Sequence, residues 1–379
     1  MNTRNTTVAA VGVKSYQREE VETGLTEALA LIGGIAAVVQ PGDKVLIKPN
    51  MLEALPPDKA VTTHPEVVRA VIREVKKAGG LPTVGDSPAM GNTVKTAQQT
   101  GIMEVCRSEG VPLALFQEVA EFPFAAGRTV KKFTLAKELS EADKVISLAK
   151  MKTHSFTGVT GGIKNLFGFV VGTEKAQFHL RMQRRSDFAA MLLDLAAVVK
   201  PVLCIVDGIT AMEGAGPRNG KPIHGGVIIA GQNGFAVDMV MTDMMGFDPE
   251  SLPVAVKALN AGLVPPFTSV EVCGSARSLK MRFKAPRNLE ALEDRIPKWA
   301  ASFGQRQLTA KPVIQELCTG CGRCADHCPP KAMTMGDGKM AIDNAACIRC
   351  YCCQEVCPHD AVSLEDGLLL KTVKRLTGK

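Results

Sequence analysis

Two cysteine-rich stretches lie near the C-terminus: CTGCGRCADHCPP at residues 318–330 and CIRCYCCQEVCP at residues 347–358. Both have the spacing C-x2-C-x2-C-x3-C-P. The short x2 spacings let one tight loop present three thiolates at converging angles, as a four-iron cluster requires. The proline after each fourth cysteine fixes its own φ and removes a backbone donor, which suits a sharp exit from a cluster loop. The duplicated spacing therefore predicts two iron–sulfur clusters.

A zinc site and a disulfide framework are the alternatives. Zinc can use paired C-x2-C units, but tetrahedral zinc poorly explains two complete four-cysteine runs. Cys106, Cys204 and Cys273 are isolated in the sequence, and we interpret Cys352 as a small buried residue. Residues 1–13 lack the long apolar stretch of a signal peptide. We therefore expect reduced cysteines and a cytoplasmic protein.

Residues 312–366 resemble a bacterial-type ferredoxin, a small α+β domain that carries two 4Fe-4S clusters. The resemblance implies one-electron transfer at low potential. In that pattern the last cysteine of each run ligates the cluster of the other run. The implied ligands of one cluster are Cys318, Cys321, Cys324 and Cys357, and those of the other are Cys347, Cys350, Cys353 and Cys328.

The composition limits the function of the remaining chain. The 379 residues include one Trp and two Tyr, which argues against base stacking on nucleic acid. Most of the net charge of +7 falls on residues 1–310, so we expect an anionic small-molecule substrate, a redox protein partner, or both. No apolar run approaches the ~18 residues of a membrane span. The sequence does not indicate an oligomeric state.

Short β-rich runs alternate with helical periods over residues 1–275. This alternation predicts an α/β domain with a mainly parallel sheet and helices on both faces. Residues 276–311 are predicted as a linker and residues 367–379 as a tail. The predicted strands are Thr7–Val13, Lys44–Ile47, Leu81–Val84, Val145–Leu148, Val202–Val206, Val227–Ala230 and Ser269–Cys273. The predicted helices are Glu19–Leu31, Pro65–Lys77, Phe188–Val199, Ala236–Met245 and Leu252–Ala261.

Polar motifs follow four of the predicted strands, and each alone is compatible with a simple turn. Carboxyl ends of parallel strands share one edge of a sheet, where ligands bind. We therefore predict one site at that edge, with Lys48, Asn50, Asp86 and Ser87 binding a cofactor or substrate. The four motifs are Lys48-Pro49-Asn50, Gly85-Asp86-Ser87-Pro88, Lys150 to His154, and Asp207-Gly208.

The stretch KMKTHSFTGVTGGIKNLFGFVVGTEKAQFH, residues 150–179, carries further candidates. Its glycine turn is predicted to point backbone N–H groups at an anion, with a lysine adjoining. Gly161, Gly162 and Asn165 are accordingly predicted to bind the ligand. His154, Lys164, His179 and Lys152 are the candidate catalytic residues.

Two further features belong to this prediction. Residues 214–221 are interpreted as a flexible loop over the site that carries Arg218 and Lys221. A lone histidine is usually structural, but a group at one sheet edge is typical of acid–base or metal chemistry. The histidines of that group are His64, His154, His179 and His224.

The motifs KPN, THP, GDSP, KMKTH, TGGIKN and VDGI resemble the family known as domain of unknown function 362, over roughly residues 8–275. That resemblance implies no settled activity. A weaker likeness joins His154, the glycine turn, Lys164 and His179 to the pincer-cofactor region of nickel-dependent lactate racemases. It implies that the lysine holds a cofactor and that the histidines carry protons or bind nickel. In this chain Phe167 stands where that family has the proline of a Pro-Gly pair.

These observations support two main hypotheses. In the first, the ferredoxin domain relays electrons to a substrate or cofactor at the carboxyl edge of the α/β domain, where His154 moves protons. In the second, the chain is an electron carrier or an assembly protein without a substrate of its own. A racemase-like metal or cofactor site is a further alternative. The sequence leaves open an additional organic cofactor or metal.

Overall fold

The computed structural model describes residues 5–172, 174–286 and 309–367. A nine-stranded sheet forms the centre of the larger unit. Its strands are β1 (Val8–Gly12), β2 (Lys44–Pro49), β3 (Leu81–Gly85), β4 (Leu113–Ala114), β7 (Lys144–His154), β8 (Gly158–Thr160), β9 (Leu203–Glu213), β10 (Lys221–Gly231) and β11 (Val272–Cys273). They are hydrogen-bonded in the order β11-β1-β10-β9-β7-β2-β3-β4, and β8 pairs with β7. A separate hairpin joins β5 (Val119–Pro123) to β6 (Lys132–Ala136).

Helices connect these strands. They are α1 (Arg18–Leu31), α2 (Pro65–Lys77), α3 (Thr93–Gln99), α4 (Ile102–Ser108), α5 (Glu138–Glu141), α6 (Gly162–Asn165), α7 (Glu174–Arg181), α8 (Arg185–Val199), α9 (Gly234–Met244) and α10 (Pro253–Asn260). Short 3-10 turns cover Ile35–Ala37, Pro57–Lys59, Leu166–Phe169 and Phe267–Ser269. Helix α2 has the predicted bounds because Pro65 occupies its first turn and the Nδ1 atom of His64 caps the backbone N–H of Glu66.

Alternate residues of each strand face opposite sides of the sheet, so two apolar cores form. Ala9 and Val11 of β1 belong to the core shared with α1, α2 and α4. Val8 and Ala10 belong to the other core, which includes α8, α9 and α10. The pairs β2–β3, β2–β7, β3–β4, β7–β9 and β1–β11 are parallel. The predicted mainly parallel sheet with helices on both faces is confirmed.

The structure differs from the prediction at two strands that approach the site. Lys150 to His154 and Asp207-Gly208 were predicted to follow strands, but they lie inside β7 and β9. Both strands continue because each has an antiparallel hairpin partner: β8 pairs with the end of β7, and β10 pairs with β9 from Glu213 to Cys204. Strand β10 also runs antiparallel to β1.

The smaller C-terminal unit is built from two antiparallel strand pairs. Strand β12 (Lys311–Ile314) pairs with β15 (Val362–Glu365), and β13 (Met333–Gly336) pairs with β14 (Lys339–Ile342). Helices α11 (Arg323–Asp326) and α12 (Cys352–Val356) contain cysteines of the two runs. The predicted small α+β region is confirmed.

The predicted linker is described only in part. Its first residues pack against the larger unit, because the backbone N–H groups of Met281 and Phe283 donate to the carbonyls of Met244 and Met245. Residues 287–308 of the predicted linker, and residues 368–379 of the predicted tail, lie outside the described residues. Among the described residues, no helix combines the length and the apolar character needed to cross a bilayer.

Candidate functional site

A cavity of about 580 Å³ lies between the two units. The larger unit contributes residues from the ends of β2, β3 and β7 and from the segment that contains α6 and α7. The smaller unit contributes His327, Cys352 and Glu355. Nine of the predicted site residues line this cavity: Lys48, Asn50, Asp86, Ser87, Lys152, His154, Lys164, Asn165 and His179.

Lys48 and Asp86 form a buried ion pair in the wall of the cavity. Lys48 Nζ lies 2.7 Å from Asp86 Oδ1, and both side chains are almost fully buried. Asp86 also accepts hydrogen bonds from the backbone N–H groups of Met51 and Ser87. Asn165 donates to the carbonyl oxygen of Lys48 at 2.9 Å and accepts from Lys48 Nζ at 3.2 Å. These contacts hold the pair rigidly across β2, β3 and α6.

Lys152 is buried and Lys175 is partly buried, and in the described part of the chain both ammonium groups donate to neutral oxygens. Lys152 Nζ donates to Asn50 Oδ1 at 3.1 Å and to the carbonyl of Val61 at 2.6 Å. Lys175 Nζ donates to Ser87 Oγ at 2.8 Å and to the Ser87 carbonyl at 2.9 Å. Burial is the main cause that lowers the pKa of each ammonium to about 7.

Lys164 and His179 lie against an aromatic wall. Lys164 Nζ is 4.8 Å from the ring centre of Phe167 and 5.7 Å from that of Phe188. Within the described residues this ammonium has no hydrogen bond or ion pair, and burial lowers its pKa. His179 stacks on Phe188 with ring centres 4.8 Å apart, and in the described part of the chain its Nδ1 has no hydrogen-bond partner.

His154 and Glu355 bring the two units together at the cavity. His154 Nδ1 accepts from the backbone N–H groups of Phe156 and Thr157, so the neutral ring carries its proton on Nε2. Nε2 lies 3.4 Å from Glu355 Oε1 of α12. Burial, reinforced by the positive charge of Lys164, lowers the pKa of His154 well below its usual value. The neutral ring therefore presents an N–H group next to a carboxyl group.

The glycine turn does not bind a ligand in the way that the sequence predicts. The backbone N–H groups of Gly162 and Ile163 donate to the carboxylate of Asp238 on α9, with the first contact at 2.6 Å. A Cβ atom on Gly161 would overlap that carboxylate. The anion at this turn is thus a side chain of the protein, and Gly161 and Gly162 do not line the cavity.

Several other predicted residues lie away from the cavity. His64 caps α2 and stacks on Tyr16 with ring centres 3.6 Å apart. His224 and Lys221 are exposed on β10. Asp207 accepts hydrogen bonds from Lys150, Tyr16 and the backbone of His64, inside the larger unit. This buried network supports the sheet next to the site.

The turn between β9 and β10, predicted as a flexible loop, attaches the smaller unit instead. Arg218 pairs with Glu53 and donates to the carbonyl of Cys357 at 3.0 Å. Asn219 donates to the carbonyl of Gln354 at 3.1 Å. Arg323 of the smaller unit lies 3.7 Å from the same Glu53. The C-terminal end of α12 is consequently held against the larger unit beside the cavity, and α11 is attached through Arg323.

The eight cysteines of the two runs surround two small cavities in the smaller unit. One is lined by Cys318, Cys321, Cys324 and Cys357, and the other by Cys328, Cys347, Cys350 and Cys353. In each cavity the fourth cysteine comes from the other run. Among the described residues, no three His, Cys, Asp or Glu side chains converge as a site for a single metal ion. The four-sulfur donor set of each cavity fits a 4Fe-4S cluster.

Backbone N–H groups point at three of these sulfurs. The donors are Ala332 to Cys328 at 3.2 Å, Met340 to Cys318 at 3.4 Å, and Ala361 to Cys357 at 3.2 Å. Such hydrogen bonds stabilise thiolate charge and tune a cluster's potential.

Cys352 lines both the cavity of Cys328, Cys347, Cys350 and Cys353, called here the second cysteine cavity, and the cavity between the two units, called here the lysine-rich cavity. The site lined by Cys328, Cys347, Cys350 and Cys353 is therefore adjacent to the lysine-rich site, separated from it by the first turn of α12. This adjacency exists only because α12 packs against the larger unit.

Sequence reasoning missed Lys175, Glu355 and Cys352 as cavity residues. Lys175 lies four residues before His179 on α7, so an i, i+4 pattern on one helix face was available as a signal. Glu355 and Cys352 have no comparable local signal. Their positions depend on the docking of one unit on the other.

The pKa of Lys152 predicts a specific pH dependence of stability. Above about pH 7 the folded chain releases this proton, whereas the unfolded chain keeps it up to the usual lysine range near 10.5. The free energy of unfolding should therefore rise with pH from about 7, by up to about 1.4 kcal/mol per pH unit for this group. Lys152→Met should flatten that rise, and the exposed-site control Lys221→Met should not. Anaerobic urea unfolding between about pH 7 and about pH 9 gives the slope of the unfolding free energy against pH for each protein. Equal slopes in Lys152→Met and the unchanged protein would contradict the lowered pKa of Lys152.

Family profiles match both units of the chain. Residues 45–243 match the profile of a family described as a domain of unknown function, DUF362, and residues 317–361 match a 4Fe-4S dicluster domain. A thylakoid-associated protein of Synechocystis sp. is 34% identical over 298 residues, which cover 77% of this chain and 88% of that protein. The lactate racemase apoprotein of Thermoanaerobacterium thermosaccharolyticum is similar in structure with a TM-score of 0.36 and 14% identity. That similarity covers 58% of this chain and 54% of the racemase chain.

Proposed function

Because the chain belongs to the DUF362 family and carries a 4Fe-4S dicluster domain with an iron–sulfur electron-transfer role, we propose that it is an oxidoreductase that reduces an anionic substrate in the interdomain cavity. One observation carries the proposal: Cys352 lines both the second cysteine cavity and the lysine-rich cavity. An electron carrier without a substrate has no need of a large cavity at that position.

In this proposal the two clusters are held by the cysteine sets Cys318, Cys321, Cys324 and Cys357, and Cys328, Cys347, Cys350 and Cys353. The clusters supply single electrons at low potential, which a redox protein partner delivers to the chain. Two electrons and two protons reduce a carbonyl or an unsaturated carbon bond. The protein must therefore provide a proton route beside the substrate.

The residues of the cavity have separate roles in the proposal. Lys152, Lys164 and Lys175 bind the anionic group of the substrate. His154 holds a proton on Nε2 next to Glu355, so the pair forms a route along which a proton reaches the substrate. Lys48, Asp86 and Asn165 keep the cavity wall rigid. The docked helix α12 limits the access of water to the reacting group.

The reducing surroundings required by such clusters also favour a cytoplasmic location. None of the 12 cysteines, all of which lie in the described part of the chain, forms a disulfide. Disulfides are rare in reducing compartments, and thiolates must remain available to ligate iron. We propose a division into an α/β domain of residues 1–275 and a ferredoxin domain of residues 312–366, with a linker between them whose first residues pack on the α/β domain.

Reoxidation of the reduced protein tests the proposal. The anaerobically reduced full chain is mixed with a panel of 2-oxo and α,β-unsaturated carboxylic acids, and the return of the visible cluster absorbance is followed. We expect at least one acid to reoxidise the clusters, and His154→Ala to slow that reaction about 100-fold or more without changing the iron content. His224→Ala, on the exposed part of β10, is the control and should react normally. If no acid reoxidises the protein and only a second redox protein does, the chain is an electron carrier.

A further inference from the structure

The interdomain cavity contains more lysines than carboxylates to neutralise them. Four lysines line it: Lys48, Lys152, Lys164 and Lys175. Asp86 is committed to Lys48, with Nζ and Oδ1 2.7 Å apart. The second carboxylate, Glu355, is partly buried, lies next to His154 and forms no ion pair with a lysine among the described residues. Asp326 is exposed at the rim.

The remaining three lysines form no ion pair with a carboxylate among the described residues. Lys152 and Lys175 donate to neutral oxygens, and Lys164 faces the cavity over the Phe167 ring without a polar partner in the described part of the chain. Lys152 is almost fully buried, and Lys164 and Lys175 are partly buried. An ammonium removed from water without a counter-charge is costly, so three such groups in one cavity indicate a ligand that supplies the charge. With all of these groups ionised, Glu355 offsets one of the three positive charges, which leaves an excess of two.

The wall between these lysines is apolar. Leu52, Met90, Phe116, Phe167 and Val171 line the same cavity. Ligand sites of this size commonly combine an apolar wall with a few polar groups that orient the ligand. A bare inorganic ion would leave this apolar surface unused.

We propose that the ligand of the cavity is a dianion with an apolar body, of the dicarboxylate class, bound by Lys152, Lys164 and Lys175. This inference deepens the proposed function and relies on it only for the identity of the cavity as the substrate site. An organic phosphate ester presents the same double charge, so the test must separate the two sources.

The protonation of the lysines supports a ligand of this charge. With pKa values near 7, Lys152 and Lys175 are partly neutral in the empty cavity, and a dianion would draw protons onto them. The charged groups facing Lys152 are Lys150, Lys164, Glu355 and Asp86, and those facing Lys175 are Asp86, Lys48 and Lys164. Most of these neighbours of the two ammonium groups are cations, so a bound dianion relieves repulsion among them.

Anaerobic titration calorimetry on the oxidised full-length holoprotein tests the proposal with three probes: succinate, butyrate and inorganic phosphate. Succinate and butyrate have the same number of carbon atoms and differ by one carboxylate. We expect succinate to bind at least about tenfold more tightly than butyrate, since one added ion pair of about 1.4 kcal/mol gives that factor. Tighter binding of phosphate than of succinate would assign the dianion to a phosphate ester.

Variants locate the binding. Lys164→Gln and Lys175→Gln should each weaken succinate about tenfold, and the exposed-site control Lys221→Gln should not. Cluster absorbance and the thermal midpoint of each variant check folding, and Lys164→Arg should restore part of the affinity. Equal affinities for succinate and butyrate, or unchanged affinity in both glutamine variants, would overturn the proposal. No electron moves in this titration, so a negative result here is independent of the outcome of the reoxidation experiment.

Discussion

Replacing Cys328 with alanine is expected to reduce the iron content from about eight atoms per chain to about four. Cys328 is the last cysteine of the first run, but it lines the same cavity as Cys347, Cys350 and Cys353 of the second run. The substitution removes the fourth thiolate of that site and the sulfur that accepts from the backbone N–H of Ala332. Anaerobic iron and sulfide analysis, with electron paramagnetic resonance of the reduced protein, measures the loss.

A matched control and two double variants make this test specific. Cys352→Ala also removes one cysteine sulfur from the second cysteine cavity. Because Cys352 is outside both proposed ligand sets, about eight iron atoms should remain. Adding Cys350→Ala to Cys328→Ala should remove no further iron, because both residues serve one site. Adding Cys321→Ala should remove the rest. The reverse pattern in the two double variants would show that ligation does not cross between the runs.

Asp207→Ala should destabilise the protein by about 3–5 kcal/mol, the usual cost of leaving a buried charge without its partner. Lys150 Nζ lies 2.8 Å from Asp207 Oδ2, and both side chains are almost fully buried. Asp207 also accepts from the hydroxyl of Tyr16 at 2.8 Å and from the backbone N–H of His64 at 2.9 Å. Lys150→Met should cost a similar amount, because it leaves the carboxylate buried without its cation. Anaerobic urea unfolding of each variant gives the free energies.

The double variant Lys150→Met with Asp207→Leu separates the charge effect from simple loss of packing. Replacing both charges with apolar groups removes the buried unpaired charge, so it should recover part of the stability lost in either single variant. The hydroxyl of Tyr16 and the backbone N–H of His64 still lose their acceptor, so the recovery should be incomplete. The exposed pair of Lys132 and Glu121 supplies a control, and Glu121→Ala should change stability by less than about 1 kcal/mol. Losses below about 1 kcal/mol in both single variants at Lys150 and Asp207 would contradict this account of the network.

Local chemistry explains which parts of the fold the sequence predicts well. The bounds of α2 follow from Pro65 at its start and the Gly79-Gly80 pair after its end, and both signals lie within the helix region itself. The strand bounds of β7 and β9 were too short because their last residues pair with β8 and β10. A hairpin partner extends a strand through hydrogen bonds that leave little trace in the residues of that strand.

Some of the predicted site residues could be placed at the cavity from local sequence alone, and others could not. Lys48, Asp86 and His154 could be predicted because each follows or ends a strand whose carboxyl end meets the others at one sheet edge. Gly161 and Gly162 have the composition of an anion nest, but the anion is Asp238, more than 70 residues away in the chain. Composition predicts that such a turn binds negative charge and does not reveal where the charge comes from.

The iron–sulfur clusters, the α/β alternation and the polar motifs at the ends of the strands can be predicted from the amino-acid order alone. Each depends on contacts between near neighbours in the chain: three thiolates on one loop, one helix period, or one strand and its turn. The ferredoxin resemblance already implies that Cys328 and Cys357 exchange sites, whereas the placement of Cys352 and Glu355 at the lysine-rich cavity depends on the tertiary structure alone. These placements arise because Arg218 and Asn219 hold α12 against the larger unit, through bonds between residues more than 130 positions apart.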